Sequence, residues 1–383
     1  MSRYRDLGVD VRKPGIDCFK EAVENLYPGA FCVVQRDPDD PETGLVTHTD
    51  SAGSKPIQAY LHYRETGDPS WFRGLAQDAL AMNVNDLLCV GAYPVTFVDY
   101  VAFNTLEIDR LHLLSALADG FAGCLDTLKA EGVDLMFAGG ETADLPDLLR
   151  TLDVCVTIFG RAKLSEFVTG ESIQQGDVII GLRSGGTVRY EEEEVNSGIM
   201  SNGHTLARTT LMKPGYVEKY PEISHPSRGR YRGRFSHDDF LEELGMTVGE
   251  ALLSPTRLYA PIAKAVLDEV GEDVHGMVHN TGGGQTKCMR LGSGVRYVKN
   301  GLPEPDPVFK LIQREGRVEW REMYQDFNMG VGYEFMVEPE STEDVLSICE
   351  GYGIDAMVIG RCEKAKEGNN LDITSEYGRF RYS

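Results

Sequence analysis

Short runs rich in β-branched residues alternate with longer amphipathic stretches along the first half of the chain. Runs of this kind predict strands, and apolar residues at every third or fourth position predict helices. We expect helices at residues 71–90 and 109–131, and strands at 31–35, 45–49, 95–103, 134–138 and 152–159. Asp109 suits the first turn of its helix, since the positive end of a helix dipole stabilises negative charge.

The second half predicts a further α/β unit. We expect helices at residues 255–270, 284–291 and 340–352, and strands at 177–181, 331–337 and 356–360. A length of 383 residues is typical of two domains. A break at 165–176 places the predicted boundary after residue 168, giving domains 1–168 and 169–383. The expected fold is α/β with α+β mixed sheets.

Two long loops interrupt the second half. Residues 185–198 include the acidic run Glu191–Glu194, and residues 213–239 carry Arg228, Arg230, Arg232 and Arg234. Loops of this length are uncommon inside compact domains and are either functional or mobile. The arginine-rich loop therefore either closes on a substrate phosphate or is a mobile surface loop.

Charge restricts the class of partner. The formal net charge is −22, from 38 basic and 60 acidic residues. This excess disfavours nucleic acid or an anionic membrane as the main partner, because both are bound by positively charged surfaces. A phosphorylated small molecule remains compatible, since it requires only a local basic pocket or a metal ion.

The cysteines and the apolar runs of the chain indicate a cellular location. The eight cysteines form no C-x-x-C pair and lie mostly in apolar stretches, which favours buried reduced thiols. The first residues lack the apolar core of a signal peptide, and no apolar run approaches the roughly 20 residues that span a bilayer. We therefore expect a cytoplasmic protein.

A short polar segment, Thr49-Asp50-Ser51-Ala52-Gly53-Ser54-Lys55, directly follows a predicted strand. Small residues allow backbone N–H groups to approach a phosphate, and the lysine adds a positive charge. The spacing differs from the G-x-x-x-x-G-K-[ST] of a Walker A loop. The segment is either a strand-to-helix turn or a phosphate site, and the residues alone leave both open.

Three carboxylates lie in apolar surroundings. Asp78 and Asp86 are eight residues apart in a predicted helix, so they fall on nearly the same face. Asn85 adds a neutral oxygen beside Asp86. Glu141 follows two glycines at the end of a predicted strand, where ligands of open α/β sheets gather. These oxygens could hold Mg²⁺ against ATP phosphates, although each residue alone also fits a cap or a solvated loop.

Two further polar segments precede predicted helices. In His279-Asn280-Thr281-Gly282-Gly283-Gly284, the consecutive glycines cost backbone entropy, which close approach of an anion would explain. His279 is either a structural histidine or a group that donates to phosphate or transfers a proton. Ser201-Asn202-Gly203-His204-Thr205 is either the turn that opens a helix or a substrate contact.

In this order the segments resemble the aminoimidazole ribonucleotide synthetase family. The resemblance covers nearly the whole chain, at residues 4–10, 83–87, 97–102, 139–146, 201–203, 254–259, 279–284, 323–332 and 358–360. The opening Tyr-Arg-Asp-Leu-Gly-Val-Asp and the stretch Met-Tyr-x-x-Phe-Asn-x-Gly-Val-Gly are more similar to the cyclo-ligase branch than to other members of the superfamily.

The resemblance implies a fold and a reaction. The family has an N-terminal α/β domain that dimerises through its strands and a C-terminal α/β domain, with a nucleotide between them. ATP phosphorylates the formamide oxygen of formylglycinamidine ribonucleotide, and an amidine nitrogen then closes the imidazole ring and expels phosphate. ATP, Mg²⁺, a small phosphoribosyl substrate and a homodimer are therefore expected.

The resemblance also implies roles, position by position. Lys55 and His279 would be catalytic. The substrate side would include Asn202, Gly203 and His204, and the Mg²⁺ ligands would be Asp50, Asp78, Asp86 and Glu141. The nucleotide would be contacted by Asp50, Gly53, Lys55, Asp86, Glu141, Thr281, Gly282, Gly283 and Gly284. Positioning and charge neutralisation supply most catalysis of phosphoryl transfer.

The chain departs from the family pattern at two places. Asp50-Ser-Ala-Gly-Ser-Lys55 stands where the family has Asp-Gly-Val-Gly-Thr-Lys, and Met200 occupies a position that is normally histidine. A histidine contact is then lost or supplied by His204. Two alternatives therefore stay open: another ATP-dependent enzyme of the superfamily, and a catalytically silent nucleotide-binding dimer.

Overall fold

Two mixed β-sheets organise the chain, one in each half. The structure is a computed structural model that describes residues 2–10, 13–191, 195–227 and 230–383. The N-terminal sheet has the strand order β1-β2-β5-β3-β4, and the larger C-terminal sheet has the order β11-β13-β6-β14-β12-β15-β16. The predicted α/β class with mixed sheets is confirmed. The boundary after residue 168 stays a prediction.

The N-terminal half packs its helices against the five-stranded sheet. Only the β3–β4 pair is parallel, while the other neighbours are antiparallel. Short 3₁₀ helices lie at Pro69–Phe72 and Leu164–Glu166. The regular elements are α1 (Arg3–Asp6), α2 (Asp17–Lys20), β1 (Gln35–Arg36), β2 (Thr43–Ser51), α3 (Pro56–Thr66), α4 (Arg73–Leu88), β3 (Tyr93–Phe103), α5 (Arg110–Ala130), β4 (Met136–Asp144) and β5 (Leu152–Lys163).

The C-terminal half contains the seven-stranded sheet, in which only β12 and β15 are parallel. Its 3₁₀ helices are Pro221–Ile223, Gly271–Asp273, Gly284–Arg290 and Pro339–Ser341. The remaining strands are β6 (Val178–Arg183), β7 (Gly185–Gly186), β8 (Asn196–Ser197), β9 (Phe240–Leu241), β10 (Met246–Thr247), β11 (Val274–His279), β12 (Val295–Lys299), β13 (Val331–Val337), β14 (Ala356–Lys364), β15 (Asn370–Ser375) and β16 (Gly378–Tyr382). The helices are α6 (His204–Leu211), α7 (Gly215–Lys219), α8 (Val248–Leu253), α9 (Ala260–Val270), α10 (Pro307–Gly316), α11 (Trp320–Asp326) and α12 (Thr342–Gly351).

Helix α4 lies at the centre of the molecule. It packs against β2, β5 and α5 in its own half and against α9 of the other half. Residues on all of its sides are buried, which is typical of a helix enclosed by protein. Because its polar residues are buried as well, each requires a partner. Those partners build the site described below.

Several elements differ from the sequence-based predictions. Residues 31–35 form no strand apart from Gln35, which begins β1, and the strand expected at 134–138 extends to Asp144. The segment expected as an α-helix at 284–291 is a 3₁₀ helix. The loop expected at 213–239 contains α7. Asp109 does cap α5, since its side chain accepts a hydrogen bond from the His112 N–H.

The described residues include no helix long and apolar enough to cross a membrane. Six of the eight cysteines are buried, and Cys18 is exposed. The burial of most of the thiols agrees with the expectation drawn from the sequence. Both observations leave the cellular location untested.

The N-terminal segment docks onto α11. The Ser2 hydroxyl donates to Glu322 Oε1 at 2.7 Å, and the Tyr4 N–H donates to the same oxygen at 3.2 Å. Asp326 is buried one turn further along, and its Oδ2 has no hydrogen-bond partner within the described ranges. Burial, together with the nearby charge of Glu322, raises the pKa of Asp326 to about 7.

We expect Asp326→Asn to stabilise the protein above neutral pH. An acid with a raised folded-state pKa makes the fold less stable as pH rises from about 4 to about 7, an effect of order 2–4 kcal/mol. The melting temperature of the variant should exceed that of the parent at pH 8 and approach it near pH 5. Glu319→Gln, at an exposed position beside the same helix, serves as the control. Equal pH profiles for parent and Asp326→Asn would contradict this account.

Candidate active site

The carboxylate of Asp86 is contacted from both halves of the chain. It lies near the end of α4 and is 4% exposed. His279, the last residue of β11, places Nδ1 2.7 Å from Asp86 Oδ1. Lys287 Nζ lies 3.6 Å from Oδ2, and His48 Nε2 of β2 lies 3.5 Å from the same oxygen. No residue of the described ranges hydrogen-bonds to Oδ2, so this oxygen is the one able to accept a further ligand.

Electrostatics keep Asp86 ionised. Burial alone would raise its pKa, but Lys287, His279 and His48 together lower the pKa of Asp86 to about 2. Burial lowers the pKa of His279, so its ring is neutral at pH 7. Lys287 therefore provides the standing positive charge beside the carboxylate.

Hydrogen bonds fix the tautomer of His279. Its ring is fully buried, with Nδ1 on Asp86 and Nε2 3.4 Å from Asn85 Nδ2. The network assigns the proton to Nδ1, because the Asn85 amide can only donate to Nε2. Both ring nitrogens are thus engaged within the protein. His279 orients the carboxylate in this structure, and its catalytic role stays a prediction.

The glycine segment 282–284 follows His279 and leads into the 3₁₀ helix. A Cβ at Gly284 would lie 2.2 Å from the carbonyl oxygen of Phe327, so this position requires glycine. At Gly282 and Gly283 a Cβ would meet nothing closer than 3.8 Å. Gly282 is exposed, so a ligand can approach the backbone there, whereas Gly283 and Gly284 are buried. Thr281, which precedes it, accepts a short hydrogen bond from Lys287.

Buried polar contacts support the glycine segment from beneath. Lys299 Nζ lies 2.6 Å from Glu334 Oε1 and donates to Gln285. Asn280 donates to the same glutamate at 2.6 Å. Since Asn280 and Gln285 flank the glycines, this buried ion pair holds the segment at both ends.

The Asp50 segment lies beside α4. The Asp50 carbonyl accepts a hydrogen bond from Asn83 at 3.1 Å, and its carboxylate accepts one from the Ser51 N–H. Gly53 lies against the chain that precedes α6, since a Cβ there would be 3.1 Å from the Ser201 carbonyl oxygen. The structure therefore brings Asp50, Gly53 and Asp86 into one region.

Lys55 is placed differently from the expectation. It is fully buried, and its Nζ lies 2.7 Å from Asp78 Oδ1 and 2.6 Å from the carbonyl of Ser254. Asp78 Oδ1 also accepts hydrogen bonds from Ser201 and from the backbone and hydroxyl of Thr256. The Lys55 ammonium and Asp78 Oδ1 are thus partnered inside the protein, while the buried Asp78 Oδ2 has no hydrogen-bond partner among the described residues. In this structure Lys55 and Asp78 hold α4, the Ser201 segment before α6 and residues 254–256 together, and their roles in catalysis, nucleotide contact and metal binding stay predictions.

The three residues predicted for the substrate side lie before and at the start of α6. Asn202 lies 3.8 Å from the position of a Gly282 Cβ, so it borders the glycine segment, and Gly203 packs on the Phe327 ring. His204 is buried and bonds through Nε2 to the Met200 carbonyl at 2.8 Å, and burial lowers its pKa well below the usual value. This histidine therefore supports the turn around Met200, and it offers no exposed atom to a substrate.

Glu141 lies on β4, the edge strand of the N-terminal sheet, where its backbone pairs with Tyr100. Its side chain is exposed, and the cluster around Asp86 is built without it. In the acidic run, Glu191 forms a buried ion pair with Arg257 at 3.1 Å. Residues Glu192–Glu194 and Arg228 lie outside the described residues.

The donor set fits a magnesium ion that shares its ligands with phosphates. Within the described ranges there is no group of three His, Cys, Asp or Glu side chains arranged to hold a metal ion by themselves. Mg²⁺ commonly uses only one or two carboxylates and completes its shell with water and substrate phosphates. Asp86 Oδ2 and the half-buried carboxylate of Asp50 could supply those protein ligands.

Three residues of this region were missed by sequence reasoning. His48 precedes Asp50 by two positions in β2, and period-two alternation could have identified it. Lys287 follows the glycines, but only the 3₁₀ turn brings it back to Asp86. Burial raises the pKa of Asp153, and the charge of Asp50 contributes, so the two carboxylates are neighbours. No sequence signal indicated this pairing.

Comparison with known protein families shows to which family this chain belongs. The family model described as "AIR synthase related protein, N-terminal domain" matches residues 30–162, and "AIR synthase related protein, C-terminal domain" matches residues 174–370. The chain belongs to the AIR synthase family. The resemblance drawn from its motifs is therefore confirmed.

Curated members of the AIR synthase family resemble this chain over most of their length. A phosphoribosylformylglycinamidine cyclo-ligase of Methanocaldococcus jannaschii is 35% identical over 332 residues, covering 87% of this chain and 82% of that protein. The enzyme of the same name from Methanococcus maripaludis strain C6 is 34% identical, covering 96% and 94%. Among solved structures, thiamine monophosphate kinase from Aquifex aeolicus has the same fold, with a TM-score of 0.55, 13% identity and coverage of 94% and 98%.

Removal of the buried cation at Lys55 should destabilise the fold. We expect Lys55→Ala to lower the free energy of unfolding by about 3–5 kcal/mol, because Asp78 would remain buried without its counter-charge. Lys264→Ala, which breaks the exposed Lys264–Asp268 pair, should change it by less than about 1 kcal/mol. Denaturant titration measures both. Equal, small effects would place the Lys55 ammonium in contact with solvent or ligand instead.

Proposed function

We propose that this chain catalyses the ATP-dependent ring closure of formylglycinamidine ribonucleotide to aminoimidazole ribonucleotide, with release of ADP and phosphate, in the cytoplasm. The observation that carries the proposal is the meeting of Asp86 and Lys287, from the two halves, beside a glycine segment that is exposed at Gly282. An ionised carboxylate, a cation and accessible backbone amides are what a metal–nucleotide complex requires. Curated relatives with high coverage have the same activity in their names.

Different residues would bind the metal ion and the transferring phosphoryl group. Asp86 Oδ2 and Asp50 would hold Mg²⁺, which when bound neutralises charge on the nucleotide phosphates. Lys287 and the N–H groups of the glycine segment would neutralise the transferring phosphoryl group. His279 keeps Asp86 ionised and correctly oriented. Asn202, at the border of the glycine segment, is suited to orient the amide whose oxygen attacks.

The chemistry then requires little covalent participation by the protein. The substrate's formamide oxygen bonds to the γ-phosphorus as the bond to ADP breaks. The amidine nitrogen attacks the activated formyl carbon, the C–O bond to phosphate breaks, and the nitrogen loses a proton as the ring becomes aromatic. Positioning of the two reacting ends within one molecule supplies a large part of the rate.

Purified protein should convert formylglycinamidine ribonucleotide, ATP and Mg²⁺ into aminoimidazole ribonucleotide with one ADP per product, detected by mass spectrometry. Formation of ADP without this product would indicate another reaction of the superfamily. Binding of ATP without any ADP would indicate a silent nucleotide-binding protein.

The Asp86→Asn variant should lower kcat/KM by about a hundredfold or more, because it removes the charge that holds the metal at the transferring phosphate. Asp119→Asn, on the exposed face of α5, is the matched control and should retain parental activity. A parental rate in Asp86→Asn would remove this carboxylate from the site.

The exposed side of the N-terminal sheet suits a homodimer. Val98 and Tyr100 of β3 and Met136 of β4 are each more than 40% exposed, and they lie on the side of the sheet away from Phe97, at and beside its edge strand. Monomers rarely leave such a face in contact with water. We propose that two copies of the chain cover this face mutually.

A charge placed on this face should separate the subunits. Tyr100→Asp is expected to shift the mass measured by analytical ultracentrifugation from dimer to monomer, because pairing would bury an unpaired carboxylate. Phe240→Asp, at an equally apolar exposed position of the C-terminal half, should leave the mass unchanged. A parental protein that sediments as a monomer would contradict the assignment.

A further inference from the structure

A second cavity lies beside the Asp50 segment, on the far side of Ser54. Its volume is about 410 Å³. Helix α6 lines one wall, the 148–152 segment before β5 lines another, and residues 222–225 together with Tyr231 close the third. None of the contacts of Asp86 belongs to this cavity, and the reaction scheme above leaves it unused.

A buried cation lines this cavity. Arg208 of α6 is only 3% exposed, and Nη1 donates to the Ser54 carbonyl at 2.9 Å. Its Nε and the buried hydroxyl of Tyr231 form no hydrogen bond of normal geometry in the described part of the chain, although the two side chains are neighbours. An anion that reaches both groups would give each of them a hydrogen bond of full strength.

The rim adds positive charge. Arg150 is exposed at the cavity edge, where it donates to the Ser224 carbonyl, and His225 stands on the same rim. The one carboxylate among the lining residues, Glu222, is engaged by Tyr60 and by Arg64 at 3.2 Å. The cavity is thus a locally basic site on a chain whose net charge is −22. Such a site selects an anion.

The cavity is connected to the active site through α6. Asn202 borders the glycine segment, and α6 begins two residues later and carries Arg208 in its second turn. The Thr205 hydroxyl lies 2.9 Å from the Ser54 hydroxyl between the two places. A phosphoribosyl group that lies along the start of α6 would therefore have Asn202 near one end and Arg208 near the other.

We propose that this cavity holds the 5′-phosphate of the phosphoribosyl substrate, with Arg208, Tyr231 and Arg150 as its ligands. The inference rests on the proposed function for the identity of the sugar phosphate. Arg208 would donate from Nε, Tyr231 from its hydroxyl, and Arg150 would exchange its carbonyl partner for a phosphate oxygen. Charge-assisted contacts of this kind are the strong ones, and guanidinium geometry matches phosphate.

In this proposal the arginine-rich loop contributes Tyr231 to the phosphate site. Arg230 and Arg232 are exposed, whereas Tyr231 between them is turned inward to the cavity. The backbone N–H of Arg232 donates to the Thr209 carbonyl at 2.8 Å, which fixes the loop on α6. Arg234 is paired with Glu315 at the surface. The inward residue of the loop is therefore the tyrosine, and these three arginines face solvent.

Calorimetric titration with ribose 5-phosphate tests the site without turnover. Ribose 5-phosphate should bind the parental protein and ribose should not. Arg150→Ala should weaken ribose 5-phosphate binding about tenfold or more, and Arg208→Met should weaken it further, as expected for loss of a charged hydrogen bond. Arg379→Ala, at an exposed arginine of β16, is the matched control and should bind as the parent does.

A titration with ATP distinguishes the two phosphate sources. ATP affinity should stay unchanged in Arg150→Ala, because the nucleotide phosphates are assigned to the glycine segment. An equal loss of ATP affinity would overturn the proposal in favour of a nucleotide phosphate site. Equal binding of ribose and ribose 5-phosphate, or parental binding in Arg150→Ala, would also overturn it.

Two controls keep the result interpretable. Because Arg208 is buried, thermal unfolding of Arg208→Met must accompany its titration, while the exposed Arg150 variant tests the site independently of folding. If ribose 5-phosphate binds as expected but no aminoimidazole forms, the proposed reaction fails and the phosphate site stands.

Discussion

The ionised carboxylate of Asp86 is the constraint on which the rest of the site depends. A buried charge is tolerated only where partners compensate for its lost hydration. His279 and Lys287, both from the C-terminal half, provide that compensation for a residue of the N-terminal half. The site therefore exists only when the two halves are assembled, and the glycine segment is carried into place by the same strand that ends in His279.

Two other buried ion pairs stabilise the framework around this carboxylate. Lys55 and Asp78 link α4 to the segment that precedes α6 and to residues 254–256. The Lys299–Glu334 pair holds the ends of the glycine segment in the same way. The carboxylates of these two pairs are fully buried, whereas Asp86 keeps a small exposed fraction at which a ligand can reach it. Precise placement of few groups is what phosphoryl transfer requires.

Much of the fold followed from the sequence, because alternation and helical periodicity report directly on burial. Asp109 capped its helix as expected, and α4 appeared within two residues of its predicted end. The family and its fold followed from motifs. What failed was local: the segment that begins at Gly284 forms a 3₁₀ helix instead of an α-helix, and Gly284 packs against the Phe327 backbone, 43 residues away in sequence.

The sequence indicated which residues belong to the region of the candidate site, but it did not indicate what each of them contacts. A motif identifies residues that matter, but it cannot distinguish a ligand from the residue that holds the ligand. Lys55 and His279 matched the family pattern, yet burial and hydrogen bonding place them behind the surface. Lys287, His48 and Arg208 escaped notice because their neighbours come from other parts of the chain.

One consequence follows from the 3.6 Å gap between Lys287 and Asp86. A divalent ion at Oδ2 and the ammonium of Lys287 compete for the same negative charge, and the ammonium belongs to the opposite half of the chain. Any rotation of one half against the other alters that competition. The affinity for the metal ion and the alignment of the two halves are then thermodynamically coupled, so a change in one alters the other.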